Sequence, residues 1–123
     1  MSISKAITLD EATIADLLNE LRARGGIVGV VAEAQLLAFR KSLDYNGDTL
    51  ERAATSNLRD VYFPFGALSY IHMIHTKSQR LVQLARNDLE GKNSNFESAK
   101  DSALDLINYA SFFVERLNRE EAT

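Results

Sequence analysis

The chain has 123 residues, and its content of 46% hydrophobic and 25% charged residues is typical of one globular domain. A formal net charge of −3 argues against the basic surface that binds a nucleic-acid polymer, and the lack of cysteine excludes disulfides and thiolate metal sites. No apolar run in the sequence approaches the roughly 18 residues of a membrane-spanning helix. We therefore expect a cytoplasmic protein with neither a membrane nor a nucleic-acid polymer as partner.

The helical character of the chain follows from its single proline and its few alternating β-branched residues. These features predict an all-α fold, a bundle of four to five helices. One domain is expected over residues 1–123, with frayed ends at residues 1–7 and 118–123.

The first helix is predicted to begin at a capping box, in which Thr8 is the N-cap and Glu11 follows three residues later. Basic residues precede Gly25 and Gly26, so the helix should end at one of these glycines. The second helix is predicted over residues 28–42, although its start, the sequence IVGVV, fits a short strand equally well. Its expected core positions are Val28, Ala32, Leu36 and Phe39.

The middle of the chain is predicted to contain a turn at residues 42–48, centred on Asn-Gly, and a short helix at residues 49–56. An aromatic loop follows at residues 62–66, where Pro64 disfavours helical geometry for the preceding residue. The third helix is predicted over residues 67–87 and has two stripes about 120° apart. The first stripe contains Leu68, Ile71, Ile74, Leu81, Val82 and Ala85. The second stripe contains Tyr70, Met73, Lys77, Arg80 and Leu84.

The last helix is predicted to begin at a second capping box, from Ser94 to Glu97, and to end near Leu117. Its expected core stripe contains Ala99, Ala103, Leu106, Ile107, Ala110, Phe113, Val114 and Leu117. A polar face lies nearly opposite, within an arc of about 80°. This acidic face contains Glu97, Asp101, Asp105 and Asn108.

The acidic face needs a physical explanation, because like charges four residues apart destabilise a helix. Leu104 and Phe112 lie among the carboxylates, which indicates that the face is partly covered. Covered carboxylates need a cation. That cation is either a hard divalent ion such as Mg²⁺ or the basic pair of Lys77 and Arg80. Lys77 and Arg80 can equally be surface residues whose aliphatic stems lie along apolar surface while their charged ends face water.

Simpler structural interpretations stay open for the other candidate residues. Glu97 can serve the capping box alone, Asp101 gains from the positive end of the helix dipole, and Asp105 can face solvent. His72 and His75 have the spacing of a metal-binding pair, but their helix carries no carboxylate near them. A structural role is therefore expected for both histidines.

Three motifs, RKSLDYNGD, GALSYIHMIHTKSQRLVQL and FESAKDSALDLINYA, occur in this order between residues 40 and 117, about two thirds of the chain. Together they resemble the nucleotide modification associated domain of phages and bacteria. That family is similar to the all-α, MazG-like nucleoside triphosphate pyrophosphatases. The resemblance implies a MazG-like helical fold, a nucleotide or nucleotide-derived ligand, and a bacterial or phage-infected host cell.

The resemblance also implies roles for individual residues, because carboxylates of this kind hold Mg²⁺ in MazG-like proteins and the ion holds the triphosphate. The implied metal ligands are Glu97, Asp101 and Asp105, of which the two aspartates are also catalytic. The implied ligand-binding residues are Lys41, Asp44, Tyr45, Lys77 and Arg80. Asn108 joins this group because it lies on the acidic face.

Two departures from the family pattern leave three functions open. Lys100 stands where the family has a second acidic residue, and Glu33 is the only carboxylate of the predicted second helix, where MazG-like enzymes use a pair. The first function is an Mg²⁺-dependent nucleoside triphosphate pyrophosphohydrolase. The second is a non-catalytic binder or sponge of a nucleotide-derived signal, as in phage counter-defence. The third is a helical interaction protein.

Self-association is expected because the third and last helices carry apolar residues on two faces, which one chain of this size cannot easily bury. We therefore predict a homodimer or homotetramer. The residues expected near subunit contacts are Tyr70, Met73, Leu84, Leu104 and Phe112.

Overall fold

The computed structural model describes residues 13–46, 60, 63–91 and 96–122, including the side chains of residues 13–41, 60, 63–91 and 98–122. The described residues form four helices and no strand, so the predicted all-α fold is confirmed. The helices are α1 (Ile14–Arg24), α2 (Gly26–Asn46), α3 (Ala67–Leu89) and α4 (Phe96–Ala122). Among these helices, none is both long and apolar enough to span a bilayer.

The chain divides into two compact units, Met1–Arg59 and Asp60–Thr123. In the first unit α1 packs against α2, and in the second unit α3 packs against α4. Each unit therefore contains one helical hairpin.

Helix α1 is bounded by local signals in the sequence. Thr13 accepts a hydrogen bond from the backbone N–H of Asp16, and the Asp16 carboxylate accepts one from the backbone N–H of Thr13, which completes a capping box. The helix ends at Gly25, with φ 78°, and Arg22 and Arg24 occupy its last turn. The predicted end is confirmed, whereas the predicted box at residues 8–11 lies outside the described residues.

The core of the first unit lies where α2 faces α1, and Gly29 permits the close approach of the two backbones. A methyl group at Gly29 would lie 3.1 Å from the carbonyl oxygen of Leu21. The start of α2 is helical, and the predicted burial of Ala32 and Leu36 is confirmed. The predicted burial of Val28 is wrong, since Gly29 faces α1 and leaves Val28 60% exposed. The core cluster comprises Leu18, Ala32 and Leu36, with Ile14, Leu21 and Phe39 packed against it.

The end of α2 differs from the prediction, because the helix continues through most of the expected turn to Asn46. Residues 42–46 of the predicted turn are therefore helical. The rest of that turn and the short helix predicted at residues 49–56 lie outside the described residues.

The aromatic loop leads directly into α3. The described part of the loop, residues 63–66, forms a turn in which Gly66 has φ 60° and its N–H donates to the carbonyl of Phe63. Ser69 secures this turn, because its hydroxyl accepts a hydrogen bond from the N–H of Phe65 at 3.0 Å. The predicted non-helical loop is therefore confirmed over these residues, and α3 begins at Ala67 as expected.

Helices α3 and α4 run antiparallel. Tyr70 contacts Phe112 with ring centroids 6.0 Å apart, and Lys77, two turns further along α3, pairs with Asp105, two turns earlier on α4. The last helix continues to Ala122, past the predicted end at Leu117, so residues 118–122 are helical rather than frayed.

The contact between α3 and α4 includes the second stripe of α3 and the acidic face of α4, whereas the predicted core stripe of α4 is half-buried to exposed. Tyr70 is fully buried, whereas Leu68 is 67% exposed and Val114 is 52% exposed. The aromatic residues and the ion pair of the two helices meet each other, and part of each aliphatic stripe is left exposed. Tyr70 and Leu104, which are expected near subunit contacts, are buried within the single chain.

A substitution pair tests which face of α2 forms the core. Leu36→Ala should lower the free energy of unfolding by about 2–4 kcal/mol, because it removes buried methylene groups and leaves a cavity. Val28→Ala, in the exposed position, should change it by less than about 0.5 kcal/mol. Urea denaturation followed by circular dichroism measures both values. Equal losses in the two variants would contradict the observed packing.

Candidate functional site

The centre of the α3–α4 contact is an ion pair between Lys77 and Asp105. The lysine Nζ lies 3.0 Å from the Asp105 Oδ2, and the two side chains are 24% and 17% exposed. The sequence predicted that the acidic face would be covered and neutralised, and Lys77 is a cation that does so for Asp105. Since both groups are mostly removed from water, their attraction is stronger than that of an ordinary surface pair.

Two further polar residues flank this ion pair on α4. Ser102 and Asn108 lie three residues before and after Asp105, and they are 2% and 4% exposed. They are the buried polar or charged residues of the described part of the chain. We call Lys77, Ser102, Asp105 and Asn108 the polar patch. Burial of this many polar groups is costly unless each of them has a hydrogen-bonding role.

An aromatic cluster closes one side of the polar patch. The ring of Phe63 lies 4.6 Å from that of Tyr70 and 6.0 Å from that of Tyr109, measured between centroids. Phe112 contacts both tyrosines edge-on at 6.0 Å. These geometries are favourable for aromatic pairs, and they fix the position of the neighbouring turn of α4.

The other predicted site residues are distributed around the chain. Arg80 and Asp101 are exposed, each one turn from a member of the polar patch on its own helix. Lys41 is exposed and belongs to the first unit. The backbones of Asp44, Tyr45 and Glu97 are helical, but their side chains lie outside the described residues. The structure therefore brings together Lys77, Asp105 and Asn108 from the predicted set.

The described acidic residues do not fit a magnesium site that MazG-like chemistry would use. A magnesium ion prefers several oxygen ligands, and two-metal hydrolases need carboxylates from more than one helix. Asp105 already pairs with the Lys77 ammonium, and no group of three or more acidic, histidine or cysteine residues with metal-binding geometry occurs in the described part of the chain. Asp101 is one turn away and exposed.

A second charged site, which the sequence did not predict, joins the start of the second unit to the end of α4. Asp60 accepts hydrogen bonds from the Tyr70 hydroxyl at 2.8 Å, from Arg116 at 3.1 Å and from Arg119 at 2.8 Å. We call these four residues the Asp60 network. Arg116 also pairs with Glu120, and Arg119 pairs with Glu115, each one turn away. The positive charges of the arginines are thus balanced by nearby carboxylates, and we assign the network a structural role.

The electrostatics of the Asp60 network favour the charged carboxylate. Burial raises the pKa of Asp60, but hydrogen bonds from Arg119 and Tyr70 and the charges of both arginines outweigh burial and hold the pKa below the ordinary 3.8. The hydrogen bond to Asp60 in turn raises the pKa of Arg119. The pKa of the folded state is lower than that of the unfolded state, so the stabilisation is present above pH 4 and disappears as the pH falls through the folded pKa.

Asp60→Asn should therefore lower the free energy of unfolding by about 2 kcal/mol at pH 7, because the negative charge that Arg116 and Arg119 bind is lost. The difference between variant and wild type should shrink as the pH approaches 3. Denaturant unfolding at pH 7, 5 and 3 measures this dependence. Glu120→Gln is the control, since its pair with Arg116 is half exposed and should contribute little. A loss that is independent of pH would contradict the assigned role.

Comparison of the chain with protein-family models, with curated proteins and with solved structures finds no match. The resemblance to the MazG-like group thus stays a prediction from the sequence motifs. The function has to be argued from the polar patch and from the surfaces of the two helices that form it.

Proposed function

We propose that the chain binds a nucleotide or nucleotide-derived ligand at the polar patch, and that it acts as a binder rather than a hydrolase. The observation that carries this proposal is the position of the buried polar residues. Ser102 and Asn108 are buried on either side of Asp105 along α4, and Asp105 itself pairs with Lys77 of α3, although apolar side chains in such buried positions would give a more stable hairpin. Polar groups in such a place are typical of ligand sites built between the helices of a bundle.

The chemistry of the polar patch complements a nucleotide. The Lys77 ammonium supplies positive charge for a phosphate, and Arg80, one turn further along α3, adds a planar guanidinium at the exposed edge. The Asp105 carboxylate accepts hydrogen bonds from sugar hydroxyls or from base N–H groups. A nucleotide carries an anionic phosphate and, on its sugar and base, separate hydrogen-bond donors, so its two parts can pair with Lys77 and Asp105 respectively.

The binder proposal agrees with the small number of carboxylates that α4 has available to hold a metal ion. Lys100 stands where the resembled family has an acidic residue, and Asp105 is neutralised by a lysine of the same chain. A protein of this kind sequesters its ligand, as expected for a sponge of a nucleotide-derived signal in the cytoplasm of a bacterium or a phage-infected cell. The alternative, an Mg²⁺-dependent pyrophosphohydrolase, predicts turnover that stops in chelator.

A panel of nucleotides, titrated calorimetrically with and without Mg²⁺, tests this proposal. Lys77→Met and Arg80→Ala should each weaken binding by about 1.5–3 kcal/mol, the range for hydrogen bonds to charged groups. Lys100→Met removes an exposed lysine from α4 and should leave the affinity unchanged. The proposal fails if no nucleotide binds, or if the two site variants bind as tightly as wild type. Phosphate release that requires Mg²⁺ would replace the binder with the hydrolase.

We also propose that the chain assembles through an exposed surface of its second unit, which we call the aliphatic seam. It comprises Leu68, Ile71 and Val82 of α3 with Val114 and Leu117 of α4, all at least 40% exposed. Ile71 follows Leu68 by three residues and Val82 follows Ile71 by eleven. Leu117 follows Val114 by three. These spacings keep the residues of each helix on one face, as in a coiled-coil seam. The seam therefore has the pattern of a helix-packing surface rather than of scattered surface residues.

A second copy of the chain is the partner that this seam fits best. In α3 and α4 the large side chains are mostly half-buried or exposed, so these helices present apolar surface that a second chain can cover. Two copies of the hairpin supply the four helices of a bundle, and a two-fold axis places identical aliphatic seams against each other. A homodimer is thus the expected unit, and a homotetramer follows if two dimers pair.

Charge placed in the aliphatic seam should dissociate the assembly. Ile71→Lys and Val114→Lys should each convert the wild-type dimer to a monomer, because a buried unpaired ammonium is costly. Ala23→Lys, at an exposed position of α1 in the first unit, should remain dimeric. Multi-angle light scattering gives the mass, and circular dichroism confirms that each variant is folded. A wild-type monomer at micromolar concentration would contradict the proposal.

A further inference from the structure

Two histidines occupy a distinctive position on α3. His72 and His75 are both exposed and lie three residues apart, so their imidazoles project from neighbouring turns of one helix face. His75 follows Ile71 by four residues and precedes Val82 by seven, which places it in line with the aliphatic seam. It is a titratable side chain next to the exposed aliphatic residues of the seam.

An imidazole in this position needs a partner if a second copy covers the seam. Burial of its ring nitrogens without hydrogen bonds or a metal would cost free energy and weaken the contact. The nearest residues along the helix are apolar or uncharged, with no carboxylate between Leu68 and Gln83. We therefore expect the partner of the imidazole nitrogens to involve the second copy rather than the same helix.

Two-fold symmetry supplies that partner, because each residue near the axis meets its own counterpart. With the axis beside His72 and His75, two copies bring four imidazoles together. Four nitrogen ligands in a tetrahedral arrangement suit Zn²⁺, whereas Mg²⁺ prefers oxygen. One chain alone offers only two ligands, which agrees with the lack of a three-ligand group in the described part of the chain.

We propose that His72 and His75 from two copies of the chain bind one zinc ion between their α3 helices and thereby strengthen the dimer. The proposal rests on self-association through the aliphatic seam. It adds a metal and a stoichiometry, one ion for two chains. Zinc binds the dimer and not the monomer in this proposal. The dimer should therefore be at least about tenfold tighter when the zinc concentration is ten times the dissociation constant of zinc from the dimer.

Sedimentation equilibrium of wild type and a His72→Gln, His75→Gln double variant, each in chelator and in Zn²⁺, tests the site. Wild type should dimerise more tightly in Zn²⁺, and dialysis should leave one zinc for two chains. The double variant should dimerise as wild type does in chelator and should not respond to Zn²⁺. Cobalt substituted for zinc should give the visible absorption of a tetrahedral ion in wild type alone.

The possible failures are distinguishable. A wild-type dimer in chelator that Zn²⁺ does not tighten overturns the zinc site and leaves the aliphatic seam intact. A chain that stays monomeric in both conditions overturns both proposals. Zinc that binds one ion per chain, or that still tightens the double variant, also overturns the shared site.

Discussion

The ion pair between Lys77 and Asp105 determines how α3 meets α4. Each helix has an aliphatic stripe and a second stripe of aromatic and charged residues, and either stripe has helical spacing. Pairing of the charged groups at 3.0 Å, with Tyr70 fully buried two turns away, selects the second stripe for the intramolecular contact. This choice buries the polar patch inside the hairpin and leaves the aliphatic seam outside, which is the basis of both proposed interactions.

This arrangement is an unusual use of polar residues. A buried ion pair rarely stabilises a protein more than well-packed apolar residues of similar size would. The Asp60 network shows the contrast, because its carboxylate lies at one end of the hairpin and is paired with two arginines and a tyrosine hydroxyl. Stability accounts for the Asp60 network, whereas the polar patch is the site at which we propose a ligand.

The sequence predicted local features well and the choice of faces poorly. The glycine that ends α1, the loop before α3 and a cation opposite Asp105 could be predicted, since each depends on nearby residues or on charge balance. The core stripes of α3 and α4 could not, because helical periodicity does not distinguish two apolar stripes on one helix. Asp60 was missed because its arginine partners are 56 and 59 residues away, where no local pattern reports the contact.

The most direct test of the ligand role is a double substitution that makes the patch apolar, Lys77→Met with Asp105→Leu. If the ion pair exists for a ligand, the double variant should be at least as stable as wild type in urea denaturation, because no charge is left buried. The same variant should lose all calorimetric binding of the nucleotide that wild type binds. A variant that binds this nucleotide as tightly as wild type does would contradict the account.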